Sequence, residues 1–192
     1  MIGLILCGGQ SQRMGKDKGL LQYQETNWVK IAASKMSSLD IPVKISVNKQ
    51  QLSSYTELFS KSNLIVDDLS LSIKGPLLGI MSCHLPFSTE DLFVLACDML
   101  NMETDLLRSL CKKYQQQNSD AYIFSNDGNA EPLCGIYTAK GLSQVLNMYK
   151  TKKLHKHSMK FILEQLSVCE IALNNEEKKH FKNFNTPDEI KG

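Results

Sequence analysis

Two short runs, "LILC" at residues 4–7 and "LFVLAC" at residues 92–97, carry neither charge nor alternation. A strand with one solvated face alternates apolar and polar residues, so strands apolar at every position are those covered on both faces. With these two, the β-rich runs fall at 2–7, 43–47, 63–66, 92–97, 121–125, 133–137 and 168–171. Between them lie segments of helical period at 27–38, 51–60, 76–85, 103–116, 140–149 and 158–166. Strand and helix in alternation predict an α/β fold: a mostly parallel, Rossmann-like sheet with right-handed crossovers and helices on both faces, a three-layer α/β/α sandwich. No repeat or low-complexity linker divides the 192 residues, which reads as a single domain over 1–192.

In such sheets ligands bind beyond the carboxyl ends of the strands, near a switch in strand order. The residues that follow strands therefore claim attention: the loop after Cys7, Asp67–Asp68 after Val66, and Asp98 after Cys97. The first loop holds two adjacent glycines, Gly8 and Gly9, with Arg13, Lys16 and Lys18 close behind. Glycines let backbone N–H groups approach an anion, and guanidinium and ammonium groups suit phosphate. A Walker loop is excluded, because five residues separate Gly9 from Gly15 and Asp17 follows Lys16. The dinucleotide pattern G-x-G-x-x-G is absent as well.

Composition narrows the field further. The formal net charge of +2 is far from that of a general nucleic-acid binder. The lysine clusters at 112–113, 152–156 and 178–179 read as solvated helix faces. Six cysteines lie without C-x-x-C spacing, several inside apolar runs, which suggests reduced thiols in a cytoplasm and no metal–thiolate site. No apolar run reaches membrane-spanning length, and "MIGLILCGG" is too short for a signal-peptide core.

The loop "LILCGGQSQRMGKDKGLL" resembles the signature of the nucleotidyltransferases, in particular the molybdenum cofactor guanylyltransferases of the MobA type. Their pattern, about L-x-G-G-x-S-x-R-M-G-x-D-K, is matched by Gly8, Gly9, Ser11, Arg13, Met14, Gly15, Asp17 and Lys18. The resemblance implies a nucleotide-diphospho-sugar-transferase-like fold whose first loop wraps a nucleoside triphosphate. The nucleotide half would cover about residues 1–100 and the acceptor half about 101–192. Leu6, Cys7, Gly8 and Gly9 would approach base and ribose, Lys18 the phosphates, and Arg13 the leaving pyrophosphate.

Asp98 is implied to bind Mg²⁺, a role suited to a lone carboxylate completed by phosphate oxygens; the alternative is an N-cap for the next helix. Where the family often has a proline soon after this aspartate, this chain has Met99 and Leu100. In "LIVDDLSLSIKGPLLGI" the aspartate seven residues before Gly75 is Asp68, the counterpart of the family's base-recognising residue, with Asp67 beside it and the ribose an equal partner. Gly75-Pro76 should turn into a helix, with Gly79 packing closely. Asn48 matches a nucleotide-binding asparagine, or is an ordinary turn residue. "NAEPLCGIY" and "FNTPDEI" resemble acceptor-side segments, which brings in Pro132, Asn183 and Asn185.

The implied activity is transfer of GMP from Mg-GTP to the phosphate of molybdopterin or its molybdenum form, releasing pyrophosphate. Molybdoenzymes or their chaperones would receive the product. The rivals are a CTP- or UTP-dependent nucleotidyltransferase on another phosphorylated acceptor, and a non-catalytic nucleotide- or cofactor-binding accessory protein.

Overall fold

The structure, a computed structural model, describes residues 1–8, 17–23, 25–181 and 184. In chain order the strands are β1 (Ile2–Leu6), β2 (Gln22–Tyr23), β3 (Thr26–Asn27), β4 (Val43–Val47), β5 (Leu64–Val66), β6 (Leu92–Ala96), β7 (Ala121–Asn126), β8 (Asn129–Tyr137) and β9 (Val168–Ala172). The helices are α1 (Trp28–Ser37), α2 (Leu52–Thr56), α3 (Pro76–His84), α4 (Thr104–Gln116), α5 (Ala139–Lys150) and α6 (Met159–Leu163), with 3-10 turns at Lys18–Leu20, Lys61–Asn63 and Glu177–Phe181.

Seven strands form one sheet in the order β5-β4-β1-β6-β8-β7-β9, and β2 pairs with β3 in a separate two-stranded ribbon. Every pairing in the large sheet is parallel except those of β8, which runs antiparallel to both β6 and β7. The expected mostly parallel sheet is present. The reversed β8 follows from the tight turn at Asp127-Gly128, where both residues have positive φ, 49° and 76°. Such a pair makes a hairpin turn whose twist matches the strands it joins.

The unbroken apolar runs are explained by two cores. Along β1, Ile5 and Cys7 pack with α1 and α4 (Val29, Met36, Leu107, Leu110), whereas Leu4 and Leu6 pack with α3, α5 and α6 (Leu77, Ile80, Leu142, Ile162). Each strand residue finds an apolar layer whichever way it points. The α2 and α6 helices are shorter than their sequence periods suggest, five residues each. Helices this short are marginal alone and persist through packing, here of Tyr55 on one side and Met159, Ile162 and Leu163 on the other.

At the end of α3, His84 is fully buried, with Ser143 Oγ 3.4 Å from Nε2 and Nδ1 without a partner among the described residues. Burial holds its imidazole below the ordinary value. The folded state therefore takes up a proton less readily than the unfolded chain. The stability it confers is complete above the unfolded value, about 6.5, and is lost as pH falls through the folded one. Thermal melts between pH 7.5 and 5.5 should show the midpoint falling more steeply for the parent than for His84→Gln; parallel curves would remove His84 as the cause.

Candidate active site at the carboxyl rim

Strand β1 lies between β4 and β6, so the chain's strand order reverses there, and the carboxyl ends of β1, β4, β5 and β6 share one rim. Leu6 pairs with Ala96, and the Cys97 N–H donates to the Leu6 carbonyl at 3.2 Å, which sets the residues after β1 beside those after β6. Gly8 and Asp98 thus leave neighbouring strand ends. The two thiols behind them, Cys7 and Cys97, are buried; a hydrogen bond with Cys7, then burial, raises Cys97 well above the ordinary thiol range. They are packing groups, not nucleophiles.

Lys18, in the 3-10 turn that follows the glycine-rich segment, reaches Asp98: Nζ donates to Oδ2 at 3.1 Å. Both side chains are partly exposed, 26 % and 19 %. The N-cap of α4 is Glu103, so Asp98 does not cap that helix. Its loop is fixed from outside instead. The Lys35 ammonium of α1 donates to the carbonyls of Met99 and Leu100, and the Phe184 N–H donates to the Asp98 carbonyl at 3.2 Å. Burial pulls Lys35 down to about 8, against the opposing influence of Cys134 and Glu103. These contacts hold the loop where the family often has proline.

The turn carrying Lys18 is anchored through Asp17. Its Oδ1 accepts from the Gly19 N–H and the Tyr55 hydroxyl, both at 3.0 Å, and its Oδ2 accepts from Gln51 Nε2 at 2.8 Å. Tyr55 is fully buried, and burial, with Cys7 and Asp17 nearby, pushes its phenol far above the ordinary value, so it stays a donor. Gln51, Tyr55 and Lys35 were invisible to motif reading, because each acts across a distance in sequence that no local pattern encodes.

Asn48 is engaged as a turn residue: its Oδ1 accepts from the N–H groups of Gln50 and Gln51 at 2.9 and 3.0 Å. Among the described residues its amide nitrogen has no partner, which leaves a donor available at the rim. The adjacent aspartates differ. Asp68 is solvated, and its Oδ1 accepts from Ser70 N–H at 2.9 Å; hydrogen bonds with Ser70 lower its carboxyl. Asp67 accepts no hydrogen bond among the described residues, and burial raises its carboxyl. A first side-chain carbon placed at Gly8 would stand 3.5 Å from Asp67 Oδ2. Asp67, rather than Asp68, faces the end of β1.

Gly75 begins α3 with φ 68° and Pro76 at the first helical position, as the turn required. A side-chain carbon at Gly79 would lie 2.4 Å from Ser46 Oγ and 3.2 Å from a Leu6 methyl, so α3 packs closely on the sheet at this residue. Pro132 falls in β8 opposite the register shift with β7, and its carbonyl accepts from Tyr137 Oη at 2.7 Å. Gly9, Arg13, Asn183 and Asn185 lie outside the described residues.

Among the described residues no group of three His, Cys, Asp or Glu gathers to hold a metal, and no helix is long and apolar enough to cross a membrane. A lone carboxylate that already draws an ammonium fits Mg²⁺ of the kind that keeps its waters and takes substrate phosphate oxygens, not a closed protein cage.

A family model described as "MobA-like NTP transferase domain" matches residues 3–168. A molybdenum cofactor guanylyltransferase of Campylobacter jejuni subsp. doylei is 29% identical over 187 residues, covering 97% of this chain and 91% of that protein. Another, from Campylobacter jejuni subsp. jejuni serotype O:6, is 31% identical over 159 residues, covering 82% of this chain and 78% of the other. Among solved structures, the molybdopterin-guanine dinucleotide biosynthesis protein A of Archaeoglobus fulgidus superposes with a TM-score of 0.77 at 22% identity, over 100% of this chain and 95% of that one. At that identity the likeness speaks for the fold.

Proposed function

This chain belongs to the MobA-like NTP transferase family, and from that premise we propose that it transfers GMP from Mg-GTP to the phosphate of a molybdopterin-type acceptor, releasing pyrophosphate. The observation that carries the reading is the meeting of Lys18 Nζ with Asp98 Oδ2, 3.1 Å apart, at the switch in strand order. The cation leaving the glycine-rich segment and the acid leaving β6 share one rim. A magnesium–triphosphate needs both signs of charge at that spot.

The acceptor phosphate is already ionised near neutral pH, so attack on the α-phosphorus needs no strong base. Positioning and charge stabilisation then supply the rate, as in other phosphoryl transfers. Lys18 and Arg13 offset charge on the α-phosphate and on the departing pyrophosphate. Asp98 would hold Mg²⁺, which when bound supplies Lewis-acid neutralisation of phosphate oxygens. Leu6, Cys7, Gly8 and Gly9 offer backbone to the nucleoside, and Asn48 an amide donor. Gly75 opens the helix beside it. Pro132, Asn183 and Asn185 serve the acceptor; Phe184, which precedes Asn185, is bonded to Asp98. Nucleotide contacts belong to residues 1–100 and acceptor contacts to 101–192, in one cytoplasmic domain that hands its product to molybdoenzymes or their chaperones.

Pyrophosphate release from each of the four nucleoside triphosphates, with Mg²⁺ and a phosphorylated pterin, tests the reading. GTP alone should support turnover. Comparable use of CTP or UTP would transfer the chain to another specificity, and binding without release would make it a carrier.

The two aspartates can be separated. A carboxylate near Gly8 can accept from guanine N1–H and the exocyclic amine, or from ribose hydroxyls. Asp67→Asn should therefore raise KM for GTP about tenfold, the worth of one charge-assisted hydrogen bond, with Asp68→Asn within about twofold. Because burial raises Asp67, its contribution to stability is present in acid and lost as pH rises through that raised value. At neutral pH the carboxylate is a cost, and Asp67→Asn should also melt slightly higher than the parent without nucleotide. The reverse order of KM effects would give the contact to Asp68.

A further inference from the structure

The amide of Gln51 joins two points that the sequence separates by the whole glycine-rich segment. Its Nε2 donates to the Cys7 carbonyl at 3.0 Å, where β1 ends, and to Asp17 Oδ2 at 2.8 Å, where the chain resumes before Lys18. Its Oε1 accepts from the Asn48 N–H at 2.8 Å, so the side chain cannot rotate without breaking all three bonds. Both donor hydrogens and the acceptor oxygen are in use. An amide is the one group of this length that donates twice and accepts at its other end.

We propose that Gln51 is a positioning residue for nucleotidyl transfer: it ties the turn that carries Lys18 to the end of β1 and thereby sets where Lys18 meets Asp98. The inference rests on the reading of Lys18 and Asp98 as the groups that meet the magnesium–triphosphate.

The sequence of causes is short. Asp17 precedes Lys18 by one residue, and its carboxylate carries three donors: the Gly19 N–H, the Tyr55 hydroxyl and the Gln51 amide. Two of these fix the 3-10 turn to its own backbone and to α2. The Gln51 amide also bonds the backbone carbonyl at the end of β1. A cation held in place before its anion binds needs no rearrangement as charge moves. Tyr55 touches the strand end only through the Cys7 thiol, whereas Gln51 holds its backbone carbonyl.

Gln51→Glu and a compensating change at Asp17 test the idea. Glutamate has the same length but sets an acceptor where the amide donated, against the Cys7 carbonyl and Asp17 Oδ2. The variant should show KM for GTP raised about 10- to 30-fold with a smaller fall in kcat. Loss of folded enzyme alone would lower kcat and leave KM unchanged. Adding Asp17→Asn reverses the pair, so that the new asparagine amide donates to the new carboxylate at position 51 while its oxygen still accepts from Gly19 and Tyr55. At least threefold of the lost kcat/KM should return. A double variant no better than Gln51→Glu, or a Gln51→Glu enzyme with the parent's KM, overturns the proposal.

Hydrogen exchange on the apoprotein gives a reading that needs no substrate. The Gly19 amide should exchange at least tenfold faster in Gln51→Glu than in the parent, and unchanged protection also overturns the proposal. Should the parent itself neither bind nor turn over any nucleoside triphosphate, the functional assignment fails, while the exchange result still decides whether the clamp exists.

Discussion

Asp98→Asn should lower guanylyl transfer by about three orders of magnitude, with the melting midpoint within about 2 °C of the parent. A neutral amide oxygen is a poor ligand for a hard divalent cation, and it offers Lys18 no charge to meet. The backbone around residue 98 does not depend on the side chain. The Phe184 N–H bonds the Asp98 carbonyl, the Met99 N–H donates to the Ala96 carbonyl at 3.3 Å, and Lys35 holds the carbonyls that follow. The Lys18–Asp98 pair is partly solvated, so its own stability contribution is under about 1 kcal/mol. Activity and stability therefore separate at this residue. Steady-state pyrophosphate release set beside a thermal melt measures both, and turnover within tenfold of the parent would take the metal role away from Asp98.

The parts of this arrangement legible in the sequence are those that a local pattern can encode. The uncharged runs at β1 and β6 announced strands covered on both faces, and the residue after each was the one to inspect. Gly75-Pro76 announced the start of α3, because positive φ and a missing N–H have few other uses. Spacing to Gly75 points to Asp68 with Asp67 open beside it; the strand ends set Asp67 beside Gly8, and a choice between adjacent residues is beyond what a motif count resolves. The antiparallel β8 was not anticipated, although Asp127-Gly128 carries a hairpin signal. Its strand was expected to begin at residue 133, beyond Pro132, whereas pairing starts at Asn129 and tolerates the proline at the register shift.

Least legible were the groups that hold the site still. Lys35 is 64 residues from Met99 and Gln51 is 44 from Cys7, and each makes its bond only because the sheet brings the partners together. In sequence, Lys35 is an ordinary helix lysine and Gln51 one of two adjacent glutamines. Burial is what distinguishes them, and burial is a property of the fold.

Gly19→Ala is the harshest small change the site offers. An added carbon would stand 2.1 Å from the Tyr55 hydroxyl and 3.3 Å from Cys7 Sγ. Tyr55 is fully buried and has nowhere to swing, so either the phenol or the 3-10 turn must shift. In both cases the Tyr55–Asp17 bond, 3.0 Å long, is lost. Overpacking costs about 1–3 kcal/mol and a stranded buried hydroxyl about as much again, enough to lower the melting midpoint of a chain this size by about 4–24 °C. Transfer should fall at least tenfold in addition, because Lys18 rides on the displaced turn. The clash is with one oxygen atom, which makes it reversible by design. Tyr55→Phe removes that oxygen and leaves the ring carbon behind it at 3.3 Å, a tight but tolerable contact. In the Tyr55→Phe background the glycine-to-alanine change should cost less than half of what it costs in the parent. Additive losses in the double variant would mean that the turn does not press on Tyr55, and the anchoring of Lys18 through Asp17 would have to be given up with it.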